Sequence, residues 1–174
     1  MDDQGPPIDT SSVIYLAKAG AFEDACRCVG SLRIPPAVWR EAVEAGEARG
    51  APEVAEIRVA VREGRLELAT PSARIARRAR EIASRHALGS GESEVLALAR
   101  PGGRVIVDEA RATRVAESLG LTPISTLFLP VLGVAEGRLA LTAARELLHR
   151  LAGVTGARAD VVLRLEQALR RYGR

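Results

Sequence analysis

The sequence predicts an α/β fold in which a mainly parallel central sheet is buried between helices. Short β-branched runs alternate with stretches of helical periodicity along the chain, the pattern that builds a parallel sheet covered on both faces. The strongest run, Val105-Ile106-Val107, is apolar throughout, as a strand buried on both sides requires. A length of 174 residues with 47% hydrophobic content suits one sizeable core, so residues 1–174 are expected to form one domain.

The first strand ends near Ile8-Asp9, and Thr10, Ser11 and Ser12 offer hydroxyls as N-caps to a helix through Val13, Ile14, Leu16 and Ala17. A second helix covers Phe22 to Val29, before a strand at Arg33-Ile34. Pro35-Pro36 cannot continue a ladder but suits a helix start, which predicts a helix over Val38 to Ala45. Pro52 opens a helix to about Arg62, and Leu66-Glu67-Leu68 reads as an edge strand. Ser72 to His86 is a basic helix, Gly89 and Gly91 punctuate the chain, and Glu92 to Ala99 is helical until Pro101-Gly102-Gly103 breaks it. The strand at Arg104 to Val107 leads to a helix over Glu109 to Leu119, closed by Gly120, and then to a short strand around Pro123-Ile124. Two or three helices fill the rest, forming a helical C-terminal extension over about 139–174.

Composition removes several function classes. The longest apolar runs, such as Thr126 to Ala135, fall short of the roughly 20 residues needed to span a bilayer. Met1-Asp2-Asp3-Gln4-Gly5 lacks the basic and apolar regions of a secretory leader, so a cytoplasmic protein without a membrane partner is expected. Cys26 and Cys28 point about 200° apart on a helix, cannot easily bridge, and read as small buried apolar groups. His86 and His149 are isolated, which disfavours histidine chemistry.

What remains is acidic. Asp9 and Asp108 close strands, Glu41 lies one turn into the helix after Pro35-Pro36, and Glu92 begins the helix after Gly91. The carboxyl ends of parallel strands form the ligand crevice of such sheets, so acids far apart in sequence can converge there. Four carboxylates form the oxygen donor set of an octahedral Mg²⁺ or Mn²⁺, and their mutual repulsion calls for such a cation. On spacing alone a second reading stays open: Asp9 and Glu92 complement helix dipoles, and Glu41 and Asp108 are solvated acids.

At these residues the chain resembles the PIN-domain family, and more narrowly a VapC-related branch of PIN-like proteins. Ile8-Asp9-Thr10-Ser11-Ser12-Val13-Ile14-Tyr15-Leu16 is similar to the first motif, with Asp9 as metal ligand and Thr10 and Ser11 shaping the turn. Ile34-Pro35-Pro36-Ala37-Val38-Trp39-Arg40-Glu41 resembles the second, Gly91-Glu92-Ser93-Glu94-Val95 the third, and Val105-Ile106-Val107-Asp108-Glu109 with Arg111 and Arg114 the fourth. Ile124-Ser125-Thr126-Leu127 falls where this branch has a Gly-Thr turn opening a helix. The resemblance implies a three-layer α/β/α sandwich and an endoribonuclease that hydrolyses RNA with metal-activated water. Asp9, Glu41, Glu92 and Asp108 are then its catalytic ligands to Mg²⁺ or Mn²⁺, with Glu109 the alternate to Asp108. Glu94, two residues from Glu92, faces another way on the helix. The resemblance also implies the toxin of a toxin-antitoxin pair, with a small antitoxin as partner and a homodimer as assembly. The competing reading is an inactive module that binds RNA or protein.

Substrate contacts would come from arginine. The formal charge is +3, and Lys18 is the only lysine. Arginine's fork suits phosphate, although the bias also fits a GC-rich genome. Arg77 and Arg78 lie on the basic helix before the third motif and are candidate nucleic-acid contacts, or else part of a solvated face with Glu81 as partner. Near the end, Val161, Val162, Leu165, Leu169 and Tyr172 form an apolar stripe that needs a cover, either the chain's own core or a partner helix.

Overall fold

The computed structural model describes residues 5–173. In order, the elements are α1 (Thr10–Lys18), α2 (Phe22–Val29), β1 (Leu32–Ile34), α3 (Pro36–Trp39), a π-helical turn (Arg40–Glu44), α4 (Ala45–Ala48), α5 (Glu53–Arg62) and β2 (Leu66–Leu68). Then come α6 (Ala73–His86), α7 (Ser90–Leu98), β3 (Arg104–Ile106), α8 (Ala110–Ser118), β4 (Thr122–Ile124), a 3-10 turn (Thr126–Phe128), α9 (Leu129–Ala135), α10 (Leu141–Thr155) and α11 (Ala159–Tyr172). The fold is helix-rich α/β, and every strand pairing is parallel.

The strands are short and form two pairs, β1 with β2 and β3 with β4. Between the pairs runs the segment 7–8, bridged in parallel from Pro7 to Arg33 and from Ile8 to Ile106. Ile8 N donates to Arg33 O and Asp9 N to Ile106 O, both at 3.0 Å, so one short stretch serves both neighbours. The layer therefore runs β2, β1, 7–8, β3, β4. Its centre is joined only by bridges because Pro6 and Pro7 have no N–H to donate, and a ladder cannot lengthen through them. Ile8, Leu32, Ile34, Val105 and Ile106 are wholly buried within it.

Two local expectations change. The hydroxyls of Thr10, Ser11 and Ser12 do not cap α1; Asp9 does, its Oδ1 accepting from Ser12 N at 2.8 Å, because the aspartate sits one residue ahead of the first helical turn. The helix after Pro35-Pro36 is interrupted by the π turn. Val38 and Val43, five residues apart, are both fully buried, and a wider turn brings residues at that spacing onto one face.

Burial pushes the Cys28 thiol up to about 12, which keeps it a neutral packing group, and neither cysteine is bridged. In the C-terminal region, α10 buries Ala144, Leu147, Leu148 and Leu151 in the same core as the sheet. On α11 only Leu169 is buried; Val162 and Leu165 pack against the core at its edge, while Leu163 and Tyr172 stay exposed. Among the described residues no helix is long and apolar enough to cross a membrane.

Candidate active site

All strands run the same way, so the segments that follow Ile8, Ile34, Ile106 and Ile124 leave from one edge of the layer. Asp9 is the first residue beyond Ile8 and is only 3% exposed. Its Oδ1 takes the Ser12 amide, and its Oδ2 takes the Asp108 amide at 3.3 Å. Burial raises its pKa to about 6; the Ser12 bonds oppose that rise, and the nearby Asp108 carboxylate adds to it. Without a cation, this carboxylate is held where ionisation is costly.

Glu41 is carried by the π turn. Its carboxylate accepts from Thr10 Oγ1 at 2.6 Å and from Ser90 Oγ at 3.0 Å, tying α1 to the start of α7. Gly91 makes that approach possible: a Cβ there would stand 2.7 Å from Glu41 Oε2. The sequence reads Gly91 as a helix breaker, yet it lies inside α7, and Gly89 is the N-cap. Close packing, which local sequence does not display, is what requires the glycine.

Glu92 and Glu94 have separate tasks, as their spacing predicts. Glu92 Oε2 accepts from Gly89 N at 3.0 Å, at the mouth of the acidic pocket. Glu94 Oε2 accepts from Ala37 N at 2.9 Å, satisfying one of the open donors of the helix that carries Glu41.

Asp108 and Glu109 also divide. The Asp108 carboxylate accepts from Thr126 N at 2.9 Å, Thr126 Oγ1 at 2.5 Å and Ser12 Oγ at 2.8 Å. Asp108, expected among the pocket acids, does not line the pocket; its carboxylate is taken up by these three donors from α1 and the 3-10 turn. Glu109, the alternate, is exposed and lines the pocket. Sequence reasoning did not single out Ser12, Ser90 or Thr126 for these roles. Ser12 carried a usable signal, since a hydroxyl three residues after an acid that ends a strand lies on the same side of the first helical turn.

The pocket has a volume of 320 Å³ and is lined by Asp9, Thr10, Ser11, Glu41, Gly89, Gly91, Glu92 and Glu109. Four acids from four parts of the chain share one opening. Among the described residues, however, no three His, Cys, Asp or Glu side chains are grouped closely enough to hold a metal ion as they lie. Glu41 and Glu92 are turned to hydroxyl and backbone donors. The donor chemistry is still all oxygen, which hard divalent cations prefer, and the costly ionisation of Asp9 is what such a charge would relieve. The donors are therefore of the kind a hard divalent cation takes.

The two candidate contacts on the basic helix α6 are placed differently from each other. Arg78 Nη1 donates to Ala99 O at 3.3 Å, beyond the C-terminal end of α7 and away from Glu92 at its start. Arg77 is exposed and borders a shallow hollow with Arg80, Glu81, Ser84 and Arg85.

A family model described as PIN domain, DUF3368, matches residues 8–173. No curated protein and no solved structure matches the chain.

Proposed function

This chain belongs to the PIN-domain family, a nuclease-type fold, and from that premise we propose that it is a metal-dependent endoribonuclease. The observation that carries the reading is the convergence of Asp9, Glu41, Glu92 and Glu109 on one pocket at the carboxyl edge of the sheet. These acids would hold Mg²⁺ or Mn²⁺, with Asp108 as the alternate to Glu109. A bound divalent ion lowers the pKa of a water nucleophile and offsets charge on the phosphodiester being hydrolysed.

The chain's own groups prepare that site. Thr10 and Ser90 hold Glu41 from two helices, while Ser12 and Thr126 fix Asp108, whose amide in turn orients Asp9. Ser11 borders the opening beside them. Arg77 is the remaining solvated cation of the two proposed for RNA contact; Arg78 serves α7. A role as toxin of a toxin-antitoxin pair belongs to the same proposal, with the exposed Leu163 and Tyr172 of α11 offered to a second copy or to an antitoxin.

The test is cleavage of single-stranded RNA by the purified protein with Mn²⁺ or Mg²⁺, with EDTA, and with Asp9→Asn. Metal-dependent cleavage lost in the variant supports the assignment; cleavage by Asp9→Asn at the wild-type rate overturns it. A second reading, a PIN-like module that binds RNA or protein without cutting, draws on the unassembled acids. RNA binding without cleavage under every metal would favour it.

A further inference from the structure

Between α6 and α7 lies a pocket of 200 Å³ whose α6 wall is built from Ala76, Ala79 and Ala83. Residues three and four apart share one helix face, so these small side chains form a row that leaves a groove open. From α7 come Ser90, Ser93 and Glu94. Ser93 is 1% exposed, and its Oγ has no hydrogen-bond partner among the described residues. Buried hydroxyls are normally bonded, so one left open at a pocket wall points to a ligand that completes it. The pocket also adjoins the acidic site. Ser90 Oγ donates to Glu41 Oε1 at 3.0 Å, and Gly89, Gly91 and Glu92, from the same turn of chain, line the acidic opening.

We propose that this pocket receives one unpaired base of an RNA strand whose backbone lies at the acidic site, an inference that rests on RNA being the ligand there. At 200 Å³ it is smaller than the about 300–1,000 Å³ of clefts for drug-sized ligands, so it suits a single ring system rather than a whole nucleotide. A base has apolar faces and a polar edge. The alanines and Ile75 offer apolar surface to the faces, while the Ser93 hydroxyl can donate to or accept from the edge. Glu94 adds an acceptor for a base N–H: its Oε2 takes Ala37 N at 2.9 Å and its Oε1 lies 3.8 Å from Arg40, and a carboxylate has lone pairs for further bonds. The exposed Arg80 lines both this pocket and the shallow hollow beside Arg77, so a strand leaving the pocket meets guanidinium forks suited to phosphate.

The experiment measures binding to the intact chain in EDTA by fluorescence anisotropy, with a labelled single-stranded RNA and an abasic ribose-phosphate strand of the same length and charge. Wild type should bind the base-bearing strand about tenfold tighter or more. Ser93→Ala should cut that advantage by about three- to tenfold without lowering the melting temperature, since it removes an open hydroxyl rather than a bond. Ala83→Leu fills the groove and should abolish most of the advantage, with circular dichroism confirming the fold. Equal wild-type affinity for the two strands, or an unchanged advantage in Ser93→Ala, overturns the proposal. So does an Ala83→Leu protein whose oligomeric state shifts in sedimentation while its base advantage stays, because a second copy then covers the groove. Cleavage with Mn²⁺ is read separately. A wild type that cleaves RNA but binds both strands equally ends this proposal and leaves the nuclease reading standing; base-dependent binding without cleavage under any metal does the reverse.

Discussion

The two edges of one parallel layer carry opposite charge and manage it differently. At the carboxyl edge, acids from the segments after Ile8, Ile34 and Ile106 meet α7, and hydroxyls and amides of neighbouring elements hold them: Thr10 and Ser90 on Glu41, Ser12 and Thr126 on Asp108. At the amino edge, Arg33, Arg100, Arg104 and Arg138 meet, held among others by carbonyl oxygens and by Glu136. Neutral donors can orient a carboxylate without cancelling its charge. The acidic edge thus keeps its field while fixing its geometry, whereas at the basic edge Glu136 neutralises part of the charge it orders. The contrast shows how a parallel sheet separates charge among the described residues: each edge collects one set of turns, and side chains follow the turns.

The largest expected effect is chemical and belongs to one edge only. Asp9→Asn should lower RNA cleavage by at least about a hundredfold, the order of loss when one preorganised electrostatic group is removed. Arg100→Gln with Arg138→Gln should leave the metal-dependent rate per bound substrate near wild type. An equal loss of that rate from both would end the division between the edges.

Asp9 also sets a pH signature. Its folded pKa, about 6, lies above the ordinary 3.8, so its contribution to stability is fully present below about pH 4 and is lost as pH rises through 6. Between those values metal-free wild type should lose on the order of 3 kcal/mol relative to Asp9→Asn, at about 1.4 kcal/mol per unit. Melting the two proteins from pH 4 to 7 measures it, and Mn²⁺ should narrow the gap. A gap that does not grow with pH would mean that burial does not penalise this carboxylate.

Thr126→Val removes a hydroxyl, itself buried, that is bonded to Asp108, and leaves that half-buried acid short of a donor. Chemical denaturation should report a loss of about 1–3 kcal/mol, and cleavage should fall by about 10–100-fold, the usual cost of losing a group that orients a metal ligand. Unchanged activity would demote the Asp108 network to structure alone.

The smallest effect on stability is expected at Gly91→Ala. The added Cβ meets the end of a flexible side chain, Glu41, so the fold should change by less than about 1 kcal/mol while Mn²⁺ affinity drops. A metal affinity equal to wild type would show that Glu41 can work from another rotamer.

Much of this was legible in the sequence. Val105-Ile106-Val107 announces a buried strand because burial on both faces selects apolar residues at every position, and Pro35-Pro36 announces a helix start because proline lacks a donor that the first turn does not need. Asp9, Glu41 and Asp108 could be named because they follow strands, and their positions along the chain set which edge they reach. The separation of Glu92 from Glu94 followed from helical pitch alone.

The tertiary structure decided what those residues touch. Thr10, Ser12, Ser90 and Thr126 became partners of Glu41 and Asp108 across separations of 18 to 96 residues. Gly91 proved to be a close approach rather than a break, the π turn followed from two valines sharing one buried face, and four dispersed arginines became one wall. Local sequence determines an element because propensity, capping and periodicity act within a few residues. Which hydroxyl meets which carboxylate depends on how the elements stack, and that is fixed by the burial of the whole core.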